Sequence, residues 1–168
     1  MWMISINAVE SLDLFGRVED GRMVLNAVGQ IVHRCWADIP SHFPNVVPDA
    51  VQVMPNHMHG LLVLDSCVQL EREAFGKPVR GSVSTIIRSF KSATTRAARE
   101  LEGREVVLWQ PGYYDRRIRD RNALERARDY IRENPRRWTE QRPPIPEPHV
   151  RVRVIEIERE SPLHPWSR

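Results

Sequence analysis

His57 and His59 lie one residue apart within residues 51–64, VQVMPNHMHGLLVL. In an extended strand successive side chains alternate faces, so His57, His59, Leu61 and Val63 share one face of a sheet. Met58, Leu62 and Leu64 share the other. Two imidazoles at that spacing are about 6.5 Å apart at Cα, close enough for a ring nitrogen of each to reach one metal ion. A plain pair of surface histidines beside a turn fits the spacing equally well. A metal site therefore needs a further residue from elsewhere in the chain. Neither clustered cysteines nor clustered carboxylates supply a rival site, and Cys35 and Cys67 stand alone.

The stretch around the pair predicts a hairpin. A strand over residues 49–54 turns at Met54-Pro55-Asn56 and returns over residues 57–65, beginning with the histidines. Upstream, residues 2–9 read as a first strand and residues 11–23 as a loop, with turns at Gly16 and Gly21 and Phe15 as an anchor. Residues 25–39 read as a helix, because Leu25, Val28, Ile31, Val32, Cys35, Trp36 and Ile39 recur at the spacing of one apolar face. Asn26 caps its start and Pro40 forces its stop. His33 falls on the flank of this helix as a solvated side chain. Residues 41–48 form a proline-bounded loop.

Downstream, residues 69–80 read as an exposed loop with a little helix. Residues 82–101 form a second long helix with Val83, Ile86, Ile87, Phe90, Ala93, Thr94, Ala97 and Leu101 inward. Arg88, Lys91, Arg96 and Arg99 fall on its other, basic side with Ser92 and Thr95 interleaved. That side is either an ordinary solvated face or a phosphate-contacting one. Residues 106–110 predict a strand, and residues 113–119 a further extended stretch after the Pro111-Gly112 turn. A third helix over residues 122–134 turns Leu124, Ala127 and Ile131 inward, with Asn122 and Glu125 as its capping box. Tyr130 sits at the edge of that stripe, and Asn134 lies four residues on, above it on the same face. Pro135 is expected to end the helix. A proline-rich linker follows, then an alternating stretch over residues 150–158 that would add an edge strand, then a disordered end.

This order of elements suits a ferredoxin-like α+β fold: an antiparallel βαββαβ sheet with helices on one face, plus a C-terminal helix. The histidine strand would lie near the middle of the sheet, and the Tyr130 helix across the end where the histidines open. With 168 residues, 41% of them hydrophobic, one core is expected, in a domain over residues 1–138 with a tail over residues 139–168. The net charge of +3 and pI near 9.2 are mildly basic and do not by themselves establish a nucleic-acid partner. Basic residues outnumber acidic ones between residues 80 and 137, however. Isolated cysteines suit a reducing compartment. No apolar run is long enough to span a bilayer and no signal core is evident, so the cytoplasm is the default location.

MPNHMHG, IIRSFKSATTR, LWQPGYYDRRIRD and ARDYIRENPRRW, in that order, closely resemble the single-tyrosine HUH transposases. More narrowly they resemble the REP-associated tyrosine transposases and their IS200/IS605-like relatives, over residues 15–138. The resemblance implies metal-dependent cleavage and rejoining of single-stranded DNA, with or without hairpin ends, through a covalent 5′-phosphotyrosine, by a monomer or homodimer. It implies that His57 and His59 hold a divalent metal, Mg2+ or Mn2+, and that Tyr130 is the catalytic nucleophile on the C-terminal helix. Asn134 stands where relatives place a polar metal-side ligand. The expected DNA contacts are Arg88, Lys91, Arg96 and Arg99 on the second helix, then Trp109, Tyr113, Arg116 and Arg117. Trp109, Tyr113 and Tyr114 are candidate platforms for unpaired bases, or else core and hairpin residues. Relatives carry further residues ahead of the first strand, and this chain starts almost on it, so either the start is misassigned or a DNA-binding arm is missing.

The chemistry suits these residues. A phosphodiester repels an incoming anion and its leaving group is poor. Two neutral imidazoles and an amide leave a bound divalent ion most of its charge for polarising and orienting the phosphate. A phenol, with a pKa of about 10, needs such help to attack, and a phosphotyrosine keeps the bond energy for rejoining. Two other classes fit the same residues. One is a non-catalytic nucleic-acid-binding protein of this fold, and the other a metal-dependent phosphodiesterase that uses water.

Overall fold

Strand β1 (Trp2–Asn7) pairs antiparallel with β5 (His57–Leu64) down the middle of a four-stranded sheet. The computed structural model describes residues 1–64 and 81–141. The loop expected at residues 69–80, the proline-rich linker and the strand expected at residues 150–158 lie outside the described residues. After β1 come a 3-10 turn (Val9–Ser11), a hairpin of β2 (Gly16–Glu19) and β3 (Arg22–Leu25), helix α1 (Ala27–Ala37) and a one-turn α2 (Ile39–His42). Then follow β4 (Val46–Val53), β5, α3 (Val83–Glu102), β6 (Tyr114–Arg117) and α4 (Arg121–Gln141). The sheet order is β4-β5-β1-β6, all antiparallel. This is the expected α+β sheet, with the histidine strand central. No described helix is long and apolar enough to cross a membrane.

Alternation along β1 and β5 sorts their side chains onto two faces. Ile4, Ile6, Met58 and Leu62 join Trp36, Ile86, Ile87 and Phe90 in the main core, so α1 and α3 cover one face. Met3 and Leu61 turn the other way and pack with Ala127 and Ile131 of α4, together with Ile118, Ala50 and Leu124. Helix α4 thus lies across the face that carries the histidines rather than across the end of the sheet. Gly60 permits the close approach on the α1 side. A Cβ built there would sit 2.3 Å from Cζ2 of Trp36, whose ring is fully buried.

Caps fall where side-chain chemistry allows. Asn26 accepts from the Gly29 amide at 2.8 Å, and Ser82 from the Thr85 amide at 3.1 Å, as expected of N-caps. Pro40 occupies the first turn of α2, a position where its missing N–H costs nothing. The start of α4 differs from expectation: the Asp120 carboxylate accepts from the Ala123 amide at 2.7 Å, so Asp120 caps the helix one residue before its first turn and Asn122 does not.

Three further expectations are corrected by the fold. Residues 106–110 make a single bridge, Trp109 to Ala8, instead of a strand, because Leu108 and Trp109 are both buried and do not alternate. The edge of β1 is taken by β6, which pairs with residues 2–5. Residues 16–25 form a hairpin rather than a loop, with Gly16 at φ 135 where a Cβ would meet the Val24 carbonyl at 2.1 Å. Most consequentially, α4 does not stop at Pro135 but runs on to Gln141. Proline inside a helix forfeits one backbone bond and crowds a carbonyl, at about 3 kcal/mol. Here Pro135 is buried, the Thr139 hydroxyl donates to its carbonyl at 3.3 Å, and the tip of the β2–β3 hairpin at Gly21 abuts Arg136.

A two-pronged ion pair ties α4 to the sheet edge. Arg128 reaches Asp49 of β4 through Nε at 3.0 Å and Nη2 at 2.6 Å. The hydrogen bonds from Arg128 hold the Asp49 carboxyl below its ordinary value. A carboxylate with a depressed folded-state pKa contributes stability above its unfolded value, about 3.9, and loses it as pH falls through the folded one. Asp49→Asn should therefore lower the urea midpoint at pH 7, and the gap from wild type should close as the pH drops well below about 4. A gap that is the same at both pH values would show that the pair does not stabilise α4 in this way. Gly60→Ala should cost about 1–3 kcal/mol or more by overpacking, read as a lowered urea midpoint, because the atom it meets belongs to a rigid indole.

Candidate active site

The histidines are presented by a tightly tied turn. Met54 N donates to the His57 carbonyl at 2.8 Å, Phe15 N to the Pro55 carbonyl at 3.0 Å and Ala8 N to the Asn56 carbonyl at 2.8 Å. His57 Nδ1 lies 2.8 Å from Asn56 Oδ1, an oxygen that can only accept. Nδ1 is therefore the protonated nitrogen, and in the neutral ring the lone pair falls on Nε2. His59 Nδ1 lies 2.6 Å from Ser5 Oγ on the neighbouring strand, which is its direct antiparallel partner. The two imidazoles stand edge to face with ring centroids 4.8 Å apart.

Helix α4 closes over them. Tyr130, Asn134 and Trp138 recur every four residues and so share one side of the helix. The Tyr130 ring meets His59 edge-on at 5.2 Å between centroids, and Trp138 lies 5.7 Å from His57. Asn134, between them along the helix, is buried at 7% exposure, whereas Tyr130 remains 37% exposed. The Arg137 guanidinium carbon sits 5.5 Å from the centre of the Tyr130 ring, a cation–π distance. Sequence order alone scatters these residues over eighty positions; the fold brings His57, His59 and Tyr130 into one cluster.

Burial, and then the charge of neighbouring His57, push the His59 imidazole down to about 4. His59 is therefore neutral at pH 7, the form in which an imidazole can bind a metal. Among the described residues no three His, Cys, Asp or Glu side chains gather closely enough to hold an ion. The donor chemistry nonetheless fits a divalent cation at the histidine pair: two imidazoles whose ring spacing suits bonds of about 2.1 Å to one ion, with the Asn134 amide on the helix above.

Beside Tyr130 a groove of about 470 Å³ runs between α4 and the edge of the sheet, lined by Met3, Ser5, Tyr114, Arg116, Arg126 and Ala127, with Asp115 as its one acidic residue among those described. Arg116 is thus placed at the site, and Arg117 alternates to the opposite face of β6. The other expected DNA contacts lie elsewhere. Arg88, Lys91, Arg96 and Arg99 lie on α3, across the sheet from the histidines. Lys91 donates to the carbonyls of Gln110 at 2.6 Å and Gly112 at 3.0 Å, and burial holds its ammonium below the usual lysine value. Arg99 pairs with Glu105 at 2.9 Å. Trp109 is a core residue, donating to Thr94 Oγ1 at 2.8 Å and packed on Phe15 and Phe90, so no face of its ring is open to a base. Tyr113 turns toward α3, with its hydroxyl 3.0 Å from Ser84 Oγ.

Five residues at the site were not expected. Arg126 lies one turn before Tyr130 and was legible from helical spacing. Asn56 adjoins His57 in the same motif. Ser5 becomes a neighbour only through strand register, and Arg137 and Trp138 only through the continuation of α4 past Pro135.

No protein-family model matches the chain. The structure of a REP-associated tyrosine transposase bound to a REP hairpin superposes with a TM-score of 0.55 over 82% of this chain and 67% of that one, at 21% identity. The likeness establishes a shared fold. An uncharacterised protein of Haemophilus influenzae is 35% identical over 135 residues, 74% of each chain. With that identity and coverage, the chain belongs to the same family as the Haemophilus influenzae protein, built on a fold similar to that of a tyrosine transposase.

Proposed function

We propose that this chain is a metal-dependent endonuclease and strand transferase for single-stranded DNA, of the HUH single-tyrosine type, acting through a covalent 5′-phosphotyrosine at Tyr130. The observation that carries the reading is the contact of the Tyr130 ring with His59 at 5.2 Å, beside the second imidazole of the pair. The nucleophile stands over the two histidines on a buried sheet face. The transposase that shares this fold was solved with a REP hairpin, which supports DNA as the partner.

A divalent ion, Mg2+ or Mn2+, held by His57, His59 and Asn134 would supply Lewis-acid polarisation of the scissile phosphate. The remaining work belongs to the chain's own side chains. Arg116 and Arg126 hold the backbone of the incoming strand in the groove, and Tyr114, 72% exposed, offers a ring for an unpaired base. The Tyr130 oxygen attacks phosphorus in line. The tyrosyl O–P bond forms as the P–O3′ bond breaks, the phenol proton passes to solvent, and the departing 3′ oxygen takes one up. Arg137, above the ring, offers its charge to the phosphate of the adduct. A 3′ hydroxyl entering by the same path reverses the step and rejoins the strand.

Tyr130→Phe removes one oxygen from a partly exposed ring and should eliminate the covalent adduct on denaturing gels while DNA binding persists. Tyr113→Phe and Tyr114→Phe should retain it. Cleavage that survives in Tyr130→Phe without an adduct would mean that water is the nucleophile. His57→Ala or His59→Ala should abolish cleavage in a folded protein, and chelation of the wild type should do the same, reversed by Mn2+.

The groove makes a separate prediction. Replacing Arg116 and Arg126 by Glu should weaken single-strand binding and flatten its salt dependence, by about 0.7 in the log–log slope for each phosphate no longer neutralised. The same reversal at Arg88 and Arg96, across the sheet, should change the slope less. The opposite ranking would move the strand's path to α3.

A further inference from the structure

Both imidazoles are gripped from behind, at Nδ1, by side chains that take no part in the chemistry above. Asn56, 9% exposed, is fixed at both ends of its amide. Its Nδ2 donates to the Ser11 carbonyl at 3.1 Å, which turns Oδ1 toward His57 Nδ1 at 2.8 Å. The Ser11 carbonyl comes from a strained place. Glu10 and Ser11 are consecutive non-glycine residues at φ 51 and φ 55, a left-handed region that such residues rarely adopt. On the other ring, Ser5 Oγ lies 2.6 Å from His59 Nδ1, set there by the β1–β5 register.

Building on the metal reading above, we propose that Asn56 and Ser5 are positioning residues. They accept from Nδ1–H of His57 and His59, and so turn the Nε2 lone pairs of both rings toward a single divalent cation. For Asn56 the direction of the bond follows from its chemistry, because Oδ1 has no hydrogen to give. The Ser5 hydroxyl can donate or accept, and the proposal commits it to accepting. A ring freed from such a partner spends part of its time in the other tautomer, with a hydrogen where the metal bond must form. Its plane is also held less firmly. Partners of this kind are worth about 10–100-fold in metal affinity. A purely structural role, tethering the turn at residues 54–56 to the 3-10 segment, predicts no effect on tautomers and none on metal affinity once the protein is folded.

The test reads tautomers and metal binding, not turnover. Imidazole 15N spectra of the metal-free wild type at neutral pH should show both His57 and His59 in the Nδ1–H form. Mn2+ titration by calorimetry should show binding about 10–100-fold weaker in Ser5→Ala and in Asn56→Ala, with Nε2–H signals appearing for the affected ring alone. Ser5→Thr keeps the hydroxyl and should restore wild-type behaviour. Asn56→Asp keeps an acceptor oxygen and should hold His57 as Nδ1–H. Wild-type Mn2+ affinity in the two alanine variants, or an Nε2–H ring in the wild type, would overturn the proposal and leave the metal reading standing. If Asn56→Ala does not fold, the wild-type spectra and the Ser5 pair decide. Failure of the wild type to bind Mn2+ would remove the metal reading, and this proposal with it.

Discussion

The register of β1 against β5 is the constraint on which the site depends. Ser5 faces His59 and Asn7 faces His57 because Ile4 is paired with Gly60. A slip of one residue would carry every side chain on one strand to the opposite face of the sheet. If β1 slipped, Ile4 and Ile6 would leave the main core, and His59 would lose its partner hydroxyl. The register is locked from the side away from the chemistry. Trp36 lies against Gly60 so closely that only a residue without Cβ fits, and Ile4 and Leu62, in the same core, are fully buried. Among the described residues the indole N–H of Trp36 has no hydrogen-bond partner, where an unmet buried donor costs about 1–3 kcal/mol within the packing that aligns the strands.

Period-two alternation was enough to place His57, His59 and Leu61 on one face, because β5 is short, regular and buried on both sides. The same logic identified α1 and α3, whose apolar stripes repeat over several turns and whose caps, Asn26 and Ser82, carry oxygens that can accept from the first turn. The sheet pairing of Ser5 was beyond the reach of local pattern, since it joins residues 54 positions apart. The β2–β3 hairpin was missed for a different reason. Its strands have only four residues each and no large apolar face, so turn chemistry outweighed alternation. Trp109 fits either a base platform or a core position from sequence, and with Phe15 and Phe90 it proves to be core. Aromatic residues look alike in sequence whether they stack on bases or on one another.

Pro135 marks where local rules give way to tertiary structure. A proline disfavours helical geometry at the residue before it, which would end α4 at Asn134. The continuation is held by contacts that no local window contains: the Gly21 turn against Arg136, the burial of Pro135, and Trp138 against His57. Its consequence is functional geometry. A helix ending at Asn134 would leave Arg137 and Trp138 outside the site. The longer helix sets Tyr130, Asn134 and Trp138 along one line over the two imidazoles, and places Arg137 over the phenol.

The two faces of the sheet divide the labour of stability and chemistry, and the charges follow that division. The α1–α3 face holds the larger core, and the cations on α3 are partly engaged with carbonyls and Glu105 around the loop that follows it. The α4 face holds the smaller apolar cluster, beside neutral donors and a groove edged by Arg116 and Arg126. Carboxylate ligands would cancel much of a divalent ion's charge and repel a phosphodiester at short range. Two imidazoles and an amide do neither, and burial of His59 keeps that ring neutral at the pH where DNA is handled. On the proposed reading, the low-dielectric contact with α4 therefore has two effects. It holds the imidazole in its binding form, and it sets the phenol beside it with the cationic groove open on the side from which the strand arrives.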